Sequence, residues 1–297
     1  MKLPDSVTDE IVFHSHLLRI GAFRCKPWQP WFEDTGPTSG HLLVFPRTSV
    51  HITHPGQEPV VANPNVVMFY NAGARYRRSK LSERGDLCEW YAFQPQVIAD
   101  ALSDYEACLS DNQAELFKFT HGPSDRISYL LQRRIYEHIR HNPQPDRVFI
   151  EETMLAVLRR VLENTYRILR HDEQPLVEHK ELAHAVQTLL ATRFQESLSL
   201  EQIAGELYYS PYHICRIFRQ VTGYTIHKYI NQLRLRTALE KLADGGANLT
   251  NLALDLGFSS HSHFTQAFKK LFGAPPSQWK SLPVSHYLNE TRKILIA

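Results

Sequence analysis

Two stretches of the chain carry hydrogen-bonding and cationic side chains at helical spacing with no carboxylate among them. In residues 257–279, GFSSHSHFTQAFKKLFGAPPSQW, one helix face would present His261, Ser262, Thr265, Gln266, Lys269 and Lys270. In residues 211–223, PYHICRIFRQVTG, the corresponding face carries Tyr212, His213, Cys215, Arg216, Arg219 and Gln220. Donors, acceptors and cations without acids suit a polyanion whose groove displays base-edge acceptors and donors. Nucleophilic or phosphate-gripping chemistry has no comparable support: the chain holds no G-x-S-x-G stretch and no phosphate-binding glycine loop.

These faces need helices behind them, and the sequence writes the helices twice. Phe264, Ala267, Phe268 and Leu271 recur at helical spacing, with Ser259 or Ser260 as the cap and Gly273, Pro275 and Pro276 as the stop. A shift of 50 residues turns Phe264, Ala267, Phe268, Leu271 and Gly273 into Ile214, Ile217, Phe218, Val221 and Gly223. A shift of 49 pairs Leu249, Leu252, Ala253 and Leu256 with Leu200, Ile203, Ala204 and Leu207. Two copies are too few for an open solenoid, which needs at least about three. The repeat therefore predicts a pair of helix-turn-helix units. The connector TIHKYINQLRLRTALEKLADGG reads as one long helix of roughly 19 residues, about 28 Å, near the ~34 Å between successive major-groove faces.

The rest of the chain sets the context. Its 297 residues suit two domains, and 43% hydrophobic with 22% charged residues is the balance of a globular protein. The start, MKLPDSVTDE, lacks signal-peptide regions and there is no long apolar run, so a cytoplasmic protein with no membrane association is expected. Cys25, Cys88, Cys108 and Cys215 form no C-x-x-C pair, arguing against disulfide or zinc frameworks. The net charge of +2 is uneven: residues 177–297 hold 13 Lys plus Arg against 9 Asp plus Glu.

Residues 1–120 read as mostly strand, with runs at 41–52, 59–62, 65–70 and 87–93 separated by turn signals. Such spacing points to a small barrel or jelly roll enclosing a pocket. Arg75, Tyr76, Arg77 and Arg78 are candidate contacts for an anionic ligand. Two helical stripes follow, Ile127, Leu130, Leu131, Ile135 and Ile139, then Leu155, Leu158, Leu162, Thr165 and Leu169, which either pack on the barrel or form a dimer seam. The domain reading is 1–170 for the barrel domain with its helical part at about 123–170, 171–180 as linker, 181–283 as the nucleic-acid-binding domain and 284–297 as tail. A helix is expected from 182 to 194.

Two rival chemistries have some residues to stand on. A cupin-type metal enzyme would want two inward histidines, a carboxylate and a further histidine. His14 and His16 have the spacing but are read as lying outside the strand-rich part. His51, His54 and Glu58 do not make a shell, so no metal, cofactor or catalytic residue is assigned. A regulator responding to oxidation or to a partner protein, with no small-molecule ligand, could use Cys88 as a sensor thiol.

Over residues 181–282 the chain resembles the AraC/XylS family of bacterial transcriptional regulators, through GFSSHSHFTQAFKKLFGAPPSQW, SPYHICRIFRQVTG and LRLRTAL. The N-terminal half resembles, in architecture more than motif, the family's cupin-type effector and dimerisation domain. The resemblance implies a multi-domain protein with an N-terminal, mainly β, cupin-like barrel and packed helices, followed by an all-α domain. It implies promoter DNA as partner, a small-molecule effector, a homodimer and contact with RNA polymerase. Carried over by position, Tyr212, His213, Cys215, Arg216, His261, Ser262, Thr265 and Gln266 are the base-reading set. Arg219, Lys269 and Lys270 fall where phosphates would be met. Tyr208 stands where the second unit has Gly257, which predicts a first turn that is either strained or shaped differently.

Overall fold

The computed structural model describes residues 8–103, 105, 115–171, 176–244 and 248–279. Cys108, the stop at Gly245 and Gly246, most of the 171–175 stretch and the 284–297 tail lie outside the described residues. The chain divides into two compact units, one up to Leu169 and one spanning Arg170–Leu282.

The first unit is a pair of antiparallel sheets. Strands β1 (Thr8–His14), β2 (Leu18–Cys25), β3 (His41–Pro46), β6 (Val66–Tyr70), β8 (Asp86–Phe93) and β9 (His121–Pro123) form one sheet in the order β1-β2-β8-β3-β6-β9. The smaller sheet, β5-β4-β7, joins β4 (Val50–Thr53), β5 (Val60–Ala62) and β7 (Arg77–Lys80). Helix α1 (Pro95–Leu102) follows β8, and α2 (Arg126–His141) and α3 (Arg147–His171) follow β9.

Strand alternation explains how the large sheet is buried on both faces. Leu18, Ile20, Leu43, Phe45, Tyr91 and Phe93 point to one core with Ile135, Ile139, Met154, Val157, Leu158 and Leu162. Their neighbours Phe23, Val44, Cys88 and Trp90 point to a second core with Val50, Ile52 and Ala62 of the small sheet. The α3 stripe is thus used within the unit: Leu158, Leu162 and Thr165 are buried, while Leu169 is 52% exposed.

Several sequence expectations need correction. Strand pairing begins at Thr8, so His14 closes β1 and does not lie outside the strand-rich part, while His16 sits between β1 and β2. Residues 41–52 are two strands in different sheets. Pro46, which has no N–H, ends β3, and Thr48 turns the corner by donating to Gly85 O at 2.7 Å and accepting from Leu87 N at 2.9 Å.

The second unit is all helical: α4 (Val177–Arg193), α5 (Leu200–Leu207), α6 (Pro211–Thr222), α7 (Ile226–Asp244), α8 (Leu249–Asp255), α9 (His261–Phe272) and α10 (Pro276–Trp279). Helix α4 starts five residues ahead of the expected 182, with Glu178 in its first turn, where a carboxylate faces the positive end of the helix. Leu182, Val186 and Leu190 of α4 join Ile203, Ile214, Ile217, Phe218, Tyr229 and Ile230 in the core of the first helix-turn-helix. The second core is aromatic, a run of rings from Phe258 through Phe264, Phe268 and Phe272 to Trp279 with successive centroids 4.6–5.7 Å apart. Phe272 is buried in it, whereas the expected Ala267 and Leu271 are half-buried.

Candidate nucleic-acid interface and barrel cavity

The two helix-turn-helix units repeat down to individual hydrogen bonds. In the first, Tyr209 N–H donates to Ala204 O at 3.0 Å; in the second, Phe258 N–H donates to Ala253 O at 3.0 Å. Ser210 and Ser260 cap α6 and α9, their hydroxyls accepting from His213 N at 3.2 Å and His263 N at 3.1 Å. Gly223 and Gly273 end those helices at φ of 72° and 84°, their N–H groups donating to Arg219 O and Lys269 O.

On α6, Tyr212, Arg216, Arg219 and Gln220 are exposed, and with Cys215, Thr225 and Ile226 they line one concave surface. Cys215 is half-buried against the first core. His213 is also half-buried, its ring stacked on Tyr209 at 5.3 Å with 8° between planes. On α9, His261, Ser262, Gln266, Lys269 and Lys270 are exposed. Thr265 is half-buried with its Oγ1 turned inward. Arg216 can span the two acceptors of a guanine and Gln266 can pair with adenine, while the Lys269 and Lys270 ammonium groups suit phosphates.

A residue without an assigned role in the sequence holds this unit together. Arg234, in the LRLRTAL segment of α7, donates from Nε to Phe194 O at 2.5 Å, from Nη2 to Glu196 O at 2.7 Å and from Nη1 to Gly257 O at 2.8 Å. It thereby ties the end of α4 to the turn of the second helix-turn-helix. Partial burial lowers its pKa from the ordinary guanidinium value, yet it stays charged at neutral pH. Gly257 is required here twice over: its φ is +78°, and an added Cβ would fall 2.5 Å from Gln195 O.

In the first unit, the space between the sheets holds a cavity of about 230 Å³ that opens to solvent on one side. Its walls are largely aromatic and aliphatic, including Phe23, Trp31, Leu42, Val44, Met68, Tyr70 and Trp90. Gly21 lets Trp90 lie flat, since a Cβ there would collide with the indole. Of the four residues the sequence offers as pocket contacts, Tyr76 and Arg78 line the cavity. Arg75 and Arg77 are not among its lining residues, and Arg75 lies 4.0 Å from Asp34 near the surface. Arg78 is buried and fully engaged: Nε meets Asp86 Oδ2 at 2.5 Å, Nη2 meets Tyr76 Oη at 2.5 Å, and the guanidinium lies over the Phe23 ring at 4.5 Å. Burial raises the Asp86 carboxyl, an effect that the pairing with Arg78 opposes. Burial also pushes the Cys88 thiol well above its ordinary value, which keeps it protonated and poorly reactive at neutral pH. Among the described residues, no group of three or more His, Cys, Asp or Glu is placed to hold a metal ion. No helix among them is long and apolar enough to cross a membrane.

A helix-turn-helix domain model matches residues 203–281, from within α5 past α10. The probable transcription factor PqrA of Proteus vulgaris is 33% identical over 102 residues, covering 33% of this chain and 84% of PqrA. The chain belongs to the AraC/XylS family. A second relative in this class, the multiple antibiotic resistance protein MarA of Escherichia coli K12, is 26% identical over 114 residues, 35% of this chain and 90% of MarA. An HTH-type transcriptional regulator of Staphylococcus aureus strain COL is 25% identical over 207 residues, 68% of this chain. The chain matches only 26% of that relative's own length. The crystal structure of ToxT from Vibrio cholerae O395 aligns with 89% of this chain and 97% of its own, at 11% identity and a TM-score of 0.35, a likeness too loose to carry a further step.

Proposed function

We propose that the chain is a sequence-specific, DNA-binding transcriptional regulator of the cytoplasm, with no catalytic step of its own. The observation that carries this reading is the duplicated helix-turn-helix, each copy presenting an acid-free polar helix face and the two joined by a single helix of 19 residues. At about 1.5 Å per residue that helix spans about 28 Å, the scale of one turn of DNA. In this reading Tyr212, His213, Cys215 and Arg216 of α6 and His261, Ser262, Thr265 and Gln266 of α9 meet base edges. Arg219, Lys269 and Lys270 meet phosphates and fix register.

The barrel cavity is the seat of a small-molecule effector, and its occupancy biases how a homodimer places its DNA-binding units. The concave, aromatic-lined space supports this part. RNA polymerase is the further partner such a regulator would touch. The oxidation-sensing alternative finds little support in Cys88, whose burial holds it as a thiol.

Selection of bound sequences from a random double-stranded DNA pool tests the reading. A bipartite site with parts about one helical turn apart is expected, doubled where two copies of the chain bind together. No enrichment over the starting pool would sink it.

A further inference from the structure

We propose that the barrel cavity takes a small organic monocation, an amine or quaternary ammonium on an apolar body, and turns away carboxylates and phosphates. The inference rests on the reading of this cavity as the effector site and goes on to name the ligand's charge. Among the described residues, three charged side chains line the cavity: Asp9, Arg78 and Asp86. Arg78 and Asp86 form a buried pair at 2.5 Å, and Tyr76 and the Phe32 carbonyl take up further guanidinium N–H groups. Each charge of that pair is met by the other, so the positive charge that the sequence offers an anion at Arg78 is already answered.

Asp9 is the lining charge left over, and it is an exposed residue, so it stands where the cavity opens to solvent. It stands on β1 and accepts from Trp90 Nε1 at 2.7 Å through Oδ1, and it has no ion pair within 4 Å among the described residues. Arg19 and Arg78 act on it from further away, yet desolvation outweighs them and raises its carboxyl above the ordinary value. The lining therefore carries one uncompensated negative charge. The lining also holds the aromatic rings of Trp90, Trp31 and Tyr70, whose faces attract cations through their quadrupoles. An anion would meet Asp9 and the aromatic lining with no free cation among the described lining residues to offset them.

Volume sets the size. A dry cavity of about 150 Å³ accommodates benzene, so about 230 Å³ admits a ring with a short side arm.

The test uses three probes of similar size and shape: phenethylamine as its ammonium ion, phenethyl alcohol and phenylacetate. Binding to the full chain is followed by quenching of tryptophan fluorescence and by titration calorimetry, with Asp9→Asn alongside. The Asn variant keeps an acceptor for the Trp90 indole. The expected order is ammonium, alcohol, phenylacetate, with about tenfold between the first and last. In Asp9→Asn the lead of the ammonium over the alcohol should vanish while the alcohol binds as before. Tightest binding by phenylacetate, or an ammonium lead untouched in Asp9→Asn, overturns the charge assignment and leaves the cavity reading standing. Failure of all three probes to bind overturns both.

Discussion

The first and second helix-turn-helix units share their hydrogen bonds but solve the same turn with opposite residues. Tyr208 ends α5 in the left-handed region at φ of +60°, the one non-glycine with positive φ among the described residues, and its side chain is 94% exposed. Gly257 occupies the matching place at +78° with the Gln195 carbonyl and the Arg234 guanidinium pressed against it. The first turn faces open solvent and tolerates a side chain at the cost of backbone strain. The second is the point where α7 and the end of α4 clamp the domain, and it has no room for a side chain. Equivalent positions in a repeat therefore diverge according to what packs on them.

The largest effect should come from Gly257→Ala. A wrong-handed backbone for alanine adds to a collision with a main-chain oxygen, for a combined loss of about 3 kcal/mol in urea unfolding of the second unit. A loss under about 1 kcal/mol would mean the turn has slack and the contrast with Tyr208 is overstated. Arg234→Ala comes next. It removes a charged donor from three carbonyl groups, two part-buried and one exposed, and should cost about 2 kcal/mol. Hydrogen exchange should then rise at the turn around Gly257 before it rises at the turn around Tyr208.

The two recognition faces should also differ. Arg216→Ala should weaken binding to a selected site by about 1–3 kcal/mol and relax preference at one base pair, whereas Lys269→Ala should weaken all sequences alike. Equal losses on selected and random DNA for Arg216→Ala would remove it from the base-reading set. The smallest effect belongs to Tyr208→Gly. Relief of left-handed strain, partly offset by the entropy of a freer unfolded chain, should stabilise the unit by about 0.5–1 kcal/mol. Destabilisation would show that Tyr208 makes contacts its exposure hides.

The helical unit is legible in the sequence because its information is local. Caps at Ser210 and Ser260, stops at Gly223 and Gly273, and apolar positions at helical spacing lie within one helix of each other, and the 49- and 50-residue shifts make each copy a check on the other. Arg234 is different: its three partners are 23 to 40 residues away, and only the fold brings those carbonyls together. Thr265 is instructive in the same way, since helical spacing puts it on the outer face but its rotamer turns the hydroxyl inward.

The barrel is legible as strands but not as a pocket. Alternation says that Cys88 and Trp90 face opposite to Glu89 and Tyr91, yet both sheet faces are buried, so periodicity cannot say which one encloses a cavity. The basic run at residues 75–78 suggests an anion site. Only Arg78 of its three arginines lines the cavity, and the partner that cancels its charge, Asp86, lies on the next strand along the chain. Asp9 and Trp90 are 81 residues apart and meet only through the β1-β2-β8 pairing.

In the proposed reading α6 and α9, held by one α7 helix, meet two parts of a DNA site at once. The most direct measurement takes the selected site and inserts about five base pairs, half a helical turn, between its two parts. Affinity should fall to near that of DNA carrying one part alone, because a helical connector cannot follow the second part to the far side of the duplex. Unchanged affinity after the insertion would contradict it.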